Sequence, residues 1–332
     1  MFENQYYNRD RQMKTGGNGR QAQEEASFRK ATADTQFFWN QVTRNNGTAR
    51  KMQRVLSPQL RAREESQLFG NHTDVLQGVI QDSTPVERSG PGADTFPVLE
   101  KFSDLNNLPS FIARNIRLMR YESPSPIQKH SVPLGLGGLD LMCCAQTVRQ
   151  ELCKILNLCY IAVLSNLVIF LSQGSGKTFA FLLPVITSIF TFEEATGQER
   201  CPSPIAGQDA ESGGGIRSPS QLQGQIDERG CMPKAIILAP TRELACQIHT
   251  ESKKLCHNSD MKTVVVYGGS DIRAQLSELS TGCDMIVATP GRLNDLVDRG
   301  VVSFCKVIFL VLDEADRMLD MGFEVIHQHL LP

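Results

Sequence analysis

At 332 residues with 41% hydrophobic content, the chain has room for about two domains and can bury at least one sizeable core. Its 34 Lys and Arg stand against 36 Asp and Glu, which excludes a globally basic nucleic-acid-binding chain and leaves any such binding to local placement of cations. Ten cysteines raise the question of disulfides, but Met1 to Gln23 is polar and lacks the apolar core of a secretory signal, so a reducing intracellular setting is expected: cytoplasmic, with the nucleus also open.

In chain order, residues 1–95 are rich in Gln, Asn, Arg and Ser, show no sustained period and end in Ser89-Gly90-Pro91-Gly92-Ala93; they read as a mostly disordered arm with room for short helices. The first 65 residues carry 12 Lys and Arg against 7 Asp and Glu, a bias suited to a solvated tail or to loose phosphate contact. The folded region is set at 96–332. From Phe102 the texture changes, with Leu105, Leu108, Ile112, Ile116 and Leu118 at roughly helical spacing before the Pro-punctuated Ser123 to Pro126. Cys143 and Cys144 sit side by side in an apolar run. No Cys pair has metal-ligand spacing, so no cysteine metal site is expected.

Further on, four strand-like runs stand out: Ala235 to Ala239, Thr263 to Tyr267, Met285 to Ala288 and Val307 to Leu312. Each precedes a polar turn and a helical pattern. The alternation predicts an α/β fold with a mostly parallel sheet, helices on both faces and ligands at the carboxyl ends of the strands. Residues 193–233, rich in Gly, Ser, Pro and charge, interrupt this pattern as a disordered loop.

Two motifs carry chemistry. Gly174-Ser175-Gly176-Lys177-Thr178 opens an apolar helix, as the end of a phosphate-binding P-loop does. Backbone amides there can cradle phosphates, Lys177 can neutralise them, and the Thr178 hydroxyl can ligate Mg²⁺. Asp313 and Glu314 follow the last apolar run directly. Asp313 at a strand tip suits a Mg²⁺ partner, and Glu314 beside it can polarise an attacking water. A charged strand-to-helix turn capped by Asp would explain the acidic pair alone, but less readily beside a Lys-Thr phosphate loop.

Six motifs occur in the order found in DEAD-box RNA helicases, which the chain resembles: Pro124 to Gln128, Gly174 to Thr178, Ala239 to Leu244, Gly268-Gly269, Ala288 to Arg292 and Asp313 to Asp316. Flanking residues such as Phe102 to Leu105 and Arg317 to Phe323 resemble the branch of the Ded1 and Vasa types. The resemblance implies a RecA-like P-loop NTPase domain, ATP and Mg²⁺ as cofactors, and RNA as partner through contacts largely independent of base sequence. It implies that Gln128 reads the adenine edge with the ring of Tyr121 stacked nearby, and that Thr241, Arg242, Gly269, Thr289, Gly291 and Arg292 line a track for single-stranded RNA. Hydroxyls, Gly amides and Arg suit phosphate and 2′-OH recognition. Turn and cap chemistry is the plainer reading of the same residues. A metabolic P-loop kinase would need neither Gln128 nor the paired Pro-Thr-Arg and Pro-Gly-Arg turns.

The sequence departs from the family pattern twice. Ala145-Gln146-Thr147 is separated from Gly174 by Val148 to Gln173, whose ends fit those of an unspliced intron, since Val codons begin with GT and a Gln codon can be CAG. If translated, Ile155 to Ser172 is apolar enough to be mistaken for a membrane span, but Asn157 and Asn166 weaken that reading and no membrane is expected; Asn166 to Leu171 could instead compete with Leu139 to Ala145 for the strand slot before the P-loop. The chain also ends 16 residues after Asp316, without a second RecA-like domain. Two functions are therefore expected: an ATP-dependent RNA helicase by family, or a non-catalytic fragment that holds ATP or RNA without turnover.

Overall fold

The computed structural model describes residues 26–45, 58–70, 86–106, 108–121, 123–144, 167–171, 176–196 and 230–320. Within them lies a six-stranded, wholly parallel sheet: β1 (Leu141–Cys144), β2 (Leu167–Leu171), β3 (Ala235–Leu238), β4 (Thr263–Val266), β5 (Met285–Ala288) and β6 (Phe309–Asp313). Their spatial order is β1-β2-β6-β3-β5-β4. The helices are α1 (residues 26–45), α2 (Pro58–Phe69), α3 (Ser110–Leu118), α4 (Pro126–Leu136), α5 (Lys177–Thr196), α6 (Arg242–Leu255), α7 (Ile272–Leu279), α8 (Pro290–Asp298) and α9 (Ala315–Asp320).

Continuous burial along β3, β5 and β6 explains why these strands read as unbroken apolar runs, since both faces of the sheet are covered. Alternate residues divide between two cores. Ala235, Ile237, Met285, Val287, Phe309 and Val311 pack with residues of α2 to α6. Ile236, Leu238, Ile286, Ala288, Leu310 and Leu312 pack with residues of α1 and α7 to α9. The period of two thus sends each strand's side chains into both layers.

The four strands expected from the sequence are β3 to β6, with boundaries shifted by a residue or two. Helices within the arm are docked on the domain. Phe38 and Val42 of α1 are fully buried, and Phe69 of α2 packs edge-on against His257 at 5.5 Å between ring centroids. The 193–233 loop is narrower than expected at both ends. Helix α5 runs through Thr196, and Cys231 is buried with its N–H donating to the Val301 carbonyl at 2.8 Å. A buried ion pair between Glu193 and Lys234 closes the base of this segment; residues 197–229 lie outside the described residues.

The competition for the P-loop strand slot has a definite outcome. Strand β2, from within the Val148 to Gln173 segment, lies between β1 and β6, with Phe170 level with Asp313. β1 is kept in the sheet on the far side of β2, with Cys143 level with Phe170. The two candidates sit side by side at one height, and the sheet gains a strand where an exchange was expected. The rest of that segment lies outside the described residues, so the reading of Ile155 to Ser172 as a span falls there except for its β2 part. Among the described residues no helix is long and apolar enough to cross a membrane.

Candidate functional site

Gly176, Lys177 and Thr178, expected to bind phosphate, stand at the start of α5, just beyond β2; Gly174 and Ser175 lie outside the described residues. Gly176 has φ +95°, and a Cβ there would come 2.5 Å from Ser125 Oγ and 2.8 Å from Gln128 Nε2, so both backbone and space require glycine. Lys177 is buried. Burial pulls its ammonium below the ordinary lysine range, against an upward pull led by Asp313, then Glu314, Asp316 and Cys143. The P-loop lysine and the acidic turn therefore share one electrostatic site, although they are far apart in sequence.

The neighbouring motif is held against this loop. Helix α4 begins with Pro126 at its first turn, and the Ser125 N–H donates to Gln128 Oε1 at 2.9 Å. The other end of the same amide donates from Nε2 to the Gly176 carbonyl at 2.8 Å. Gln128, expected to read adenine, is buried as a strut between the start of α4 and the P-loop, with one N–H and one lone pair uncommitted among the described residues. Tyr121 is half-buried in an aromatic cluster, its ring 4.5 Å from Phe179 and 6.1 Å from Phe102 between centroids. Burial foremost, then the charge of Glu251, pushes its phenol up, so it stays neutral.

At the tip of β6, Asp313 is buried, and burial foremost, reinforced by Glu314, raises its carboxyl from 3.8 to about 6. Lys177 and the Glu314 backbone N–H oppose that shift. Glu314 has φ +52°, a left-handed backbone uncommon for a residue with a side chain. Arg317 pairs with its carboxylate at 3.2 Å. Asp316 Oδ1 is buried without a hydrogen-bond partner among the described residues. The raised carboxyl of Asp313 and, among the described residues, the partnerless Asp316 Oδ1 fit a divalent cation at this turn. Asp313 and Thr178 are the residues that would hold it.

The six residues expected along an RNA track come from the three turns that follow β3, β4 and β5, neighbouring strands on the other side of β6. Thr241 caps α6, its hydroxyl accepting the Leu244 N–H at 3.3 Å, so its cap role is real. Arg242 is exposed with its guanidinium 4.7 Å above the Tyr267 ring. Gly269 (φ +75°) and Gly291 have open space where a Cβ would point. Thr289 precedes α8 without a side-chain cap bond, leaving its half-buried hydroxyl outside the cap. Arg292 Nη1 donates to Gln275 Oε1 at 3.3 Å.

Gln275 is the residue that sequence reasoning missed. Its Nε2 donates to the Tyr267 carbonyl at 3.1 Å and to Ser270 Oγ at 2.5 Å, while Oε1 accepts the Tyr267 N–H at 3.3 Å. One buried amide thus fixes the Gly268-Gly269 turn and Arg292 together. A glutamine on the inner face of a helix six residues after the Gly268-Gly269 pair gives no local signal of this clamp. Ser125 was also missed; its Oγ is buried beside Gly176 and has no hydrogen-bond partner among the described residues.

Residues 155–331 match the family described as DEAD/DEAH box helicase. The chain is also similar to the crystal structure of the RNA helicase Prp28 from Chaetomium thermophilum bound to ADP, at 26% identity and a TM-score of 0.49, over 83% of this chain and 48% of that one. It therefore spans about half the length of that relative. With its P-loop lysine and its Asp313-Glu314 turn converging beyond the ends of β2 and β6, and more than half its residues within the matched region, the chain belongs to the DEAD/DEAH box helicase family.

Proposed function

We propose that the chain binds ATP with Mg²⁺ at the ends of β2 and β6, and single-stranded RNA across the turns after β3, β4 and β5, as one half of an ATP-dependent RNA-unwinding motor. The observation that carries this reading is the parallel pairing of β2 with β6, which sets the strand leading to the Lys177 loop beside the strand that ends in Asp313. Mg²⁺ supplies charge neutralisation for the phosphates and for the developing charge of phosphoryl transfer. The chain's own residues take the other parts. Lys177 neutralises phosphate oxygens, Asp313 and Thr178 hold the cation, and Glu314 orients the attacking water. Gln128 keeps the Gly176 carbonyl in place, and its remaining N–H and lone pair would serve the adenine edge.

On the RNA side, Arg242, Arg292, Thr241 and Thr289 supply cations and hydroxyls for the sugar-phosphate backbone, and Gly269 and Gly291 let that backbone approach. We infer that separation of duplexes requires a second RecA-like domain that closes the ATP site. From the flanking residues Phe102 to Leu105, Val266 to Gly269 and Arg317 to Phe323, we infer the Ded1 and Vasa branch. Fluorescence anisotropy of a labelled oligo-uridine, with and without Mg²⁺ and a non-hydrolysable ATP analogue, tests the reading. It predicts saturable RNA binding that weakens as salt rises; no binding at low salt contradicts it.

A further inference from the structure

Helix α1 is seated on the layer that carries the RNA-facing turns. Phe38 and Val42 are buried with Leu276 and Leu279 of α7 and Leu293 and Leu296 of α8. Polar groups fix the helix along its length. Asp34, only 2% exposed, accepts from Arg273 Nε at 3.4 Å and lies 3.6 Å from Arg299 Nη1. The Arg273 guanidinium lies 5.7 Å from the centroid of the Phe37 ring. At the other end, Asn45 Nδ2 donates to Ser280 Oγ at 2.9 Å.

The contact does not stop at Arg299. Its Nε and Nη2 both reach Asp295 Oδ1 at 2.7 Å, and Asp295 Oδ2 stands 4.0 Å from Arg292 Nε. Arg292 in turn donates to Gln275, the amide that clamps the Gly268-Gly269 turn. A buried carboxylate on α1 is thus joined through alternating charges to an arginine and a glycine turn of the proposed RNA surface. Charged groups linked in this way orient one another, because each buried partner left unpaired carries a desolvation cost.

We propose that α1 is an intramolecular brace that sets RNA affinity, with Asp34 as the positioning residue acting through Arg299 and Asp295 on Arg292. The inference rests on the RNA reading given above. A docked α1 holds Arg292 and the Gly-Gly turn in the binding arrangement; a loosened α1 frees Arg299 to draw Asp295 elsewhere, and Arg292 loses its orientation. Nucleotide binding, which uses the β2 and β6 side of the sheet, is independent of the brace.

The test measures, on the full chain, affinity for a labelled single-stranded oligo-uridine and for a fluorescent ADP analogue with Mg²⁺. Asp34→Asn is expected to weaken RNA binding by at least about fivefold with nucleotide affinity unchanged, and to lower the slope of log affinity against log salt by about 0.7, one phosphate contact on a single strand. Asp34→Glu restores most of the affinity. Arg299→Gln matches Asp34→Asn, and the double variant is no worse than either, as expected for two residues acting in one chain of contacts. Should Asp34→Asn fail to fold, Val42→Ala loosens α1 without altering charge and is expected to weaken RNA binding by about twofold, within 0.5 kcal/mol at RT of about 0.6. Unaltered RNA affinity in a folded Asp34→Asn protein, or equal loss of RNA and nucleotide binding, overturns the brace. A wild-type chain that does not bind the oligonucleotide overturns the RNA reading itself.

Discussion

Gln128 donates to the Gly176 carbonyl at 2.8 Å, so the residue expected to select adenine is also a support for the phosphate loop. The bond joins the first turn of α4 to the residue before Lys177, at a glycine whose φ of +95° admits no side chain. The proposed base reader and the proposed phosphate loop are in this way joined through a single amide.

The coupling predicts the behaviour of Gln128→Ala. Loss of two hydrogen bonds, each of about 1 kcal/mol, should weaken Mg²⁺-ATP by roughly tenfold or more. Because the support acts on the loop, GTP should weaken too. Competitive displacement of a fluorescent nucleotide by ATP and by GTP checks this. Loss confined to ATP would mean that the amide serves the base alone.

Asp313 predicts an opposite effect on stability and on binding. Its folded pKa of about 6 lies above the ordinary 3.8, so between those values the native state holds a proton that the unfolded state releases. The sign follows: this residue favours the fold below about pH 4, and that advantage disappears as pH rises through about 6. By pH 7.5 the ionised, buried group costs on the order of 3 kcal/mol, at about 1.4 kcal/mol per unit. Asp313→Asn should therefore raise the melting temperature at pH 7.5 while abolishing Mg²⁺-dependent nucleotide binding. The comparison with wild type must be made at each pH, because buried His249, lowered by burial from 6.5 to about 4, destabilises the fold as pH falls through 6.5 and works against the Asp313 trend. A melting temperature unchanged by Asp313→Asn at pH 7.5 would contradict the raised pKa.

Much of this site was legible because short buried strands end in characteristic residues. β3, β5 and β6 are apolar runs that stop at Pro240, Thr289 and Asp313, so their carboxyl ends, where ligands gather, could be found by inspection. Spacing could not reveal what three-dimensional proximity decides. The strut role of Gln128 needs α4 beside the P-loop, and the clamp of Gln275 needs α7 beneath the Gly-Gly turn. The docking of α1 was hidden for another reason. Its buried positions, Asp34, Phe38 and Val42, follow a helical spacing of four, but they are flanked by exposed Phe28 and a half-buried Phe37, which blurs a single apolar stripe.

Arg242 is exposed with its guanidinium above the Tyr267 ring, and Glu243 is the acidic residue of the same helical turn. Arg242→Ala should weaken binding to oligo-uridine and oligo-adenosine alike, and reduce the salt slope by about 0.7. Unequal losses on the two oligonucleotides would reveal base reading at this position.

The side-by-side placement of β1 and β2 makes removal of Val148 to Gln173 informative. With β2 gone, β1 stands at the right height to pair with β6, and Ala145 to Thr147 lead straight into Gly174. Nucleotide affinity of the deletion variant should match that of the full chain within about threefold, under 1 kcal/mol. Binding that becomes much tighter only after deletion would show that the β2 arrangement impairs the loop.

The most direct measurement is equilibrium binding of a fluorescent ATP analogue with Mg²⁺ to the full chain and to Lys177→Ala. Removing a buried ammonium that faces both phosphates and the acidic turn should weaken binding by about tenfold to a hundredfold, the effect of one or two charge-assisted hydrogen bonds of roughly 1.5–3 kcal/mol. Saturable, Mg²⁺-dependent binding by the full chain that is lost in Lys177→Ala is the predicted result; equal binding by both proteins would contradict a phosphate site built on β2, Lys177 and Asp313.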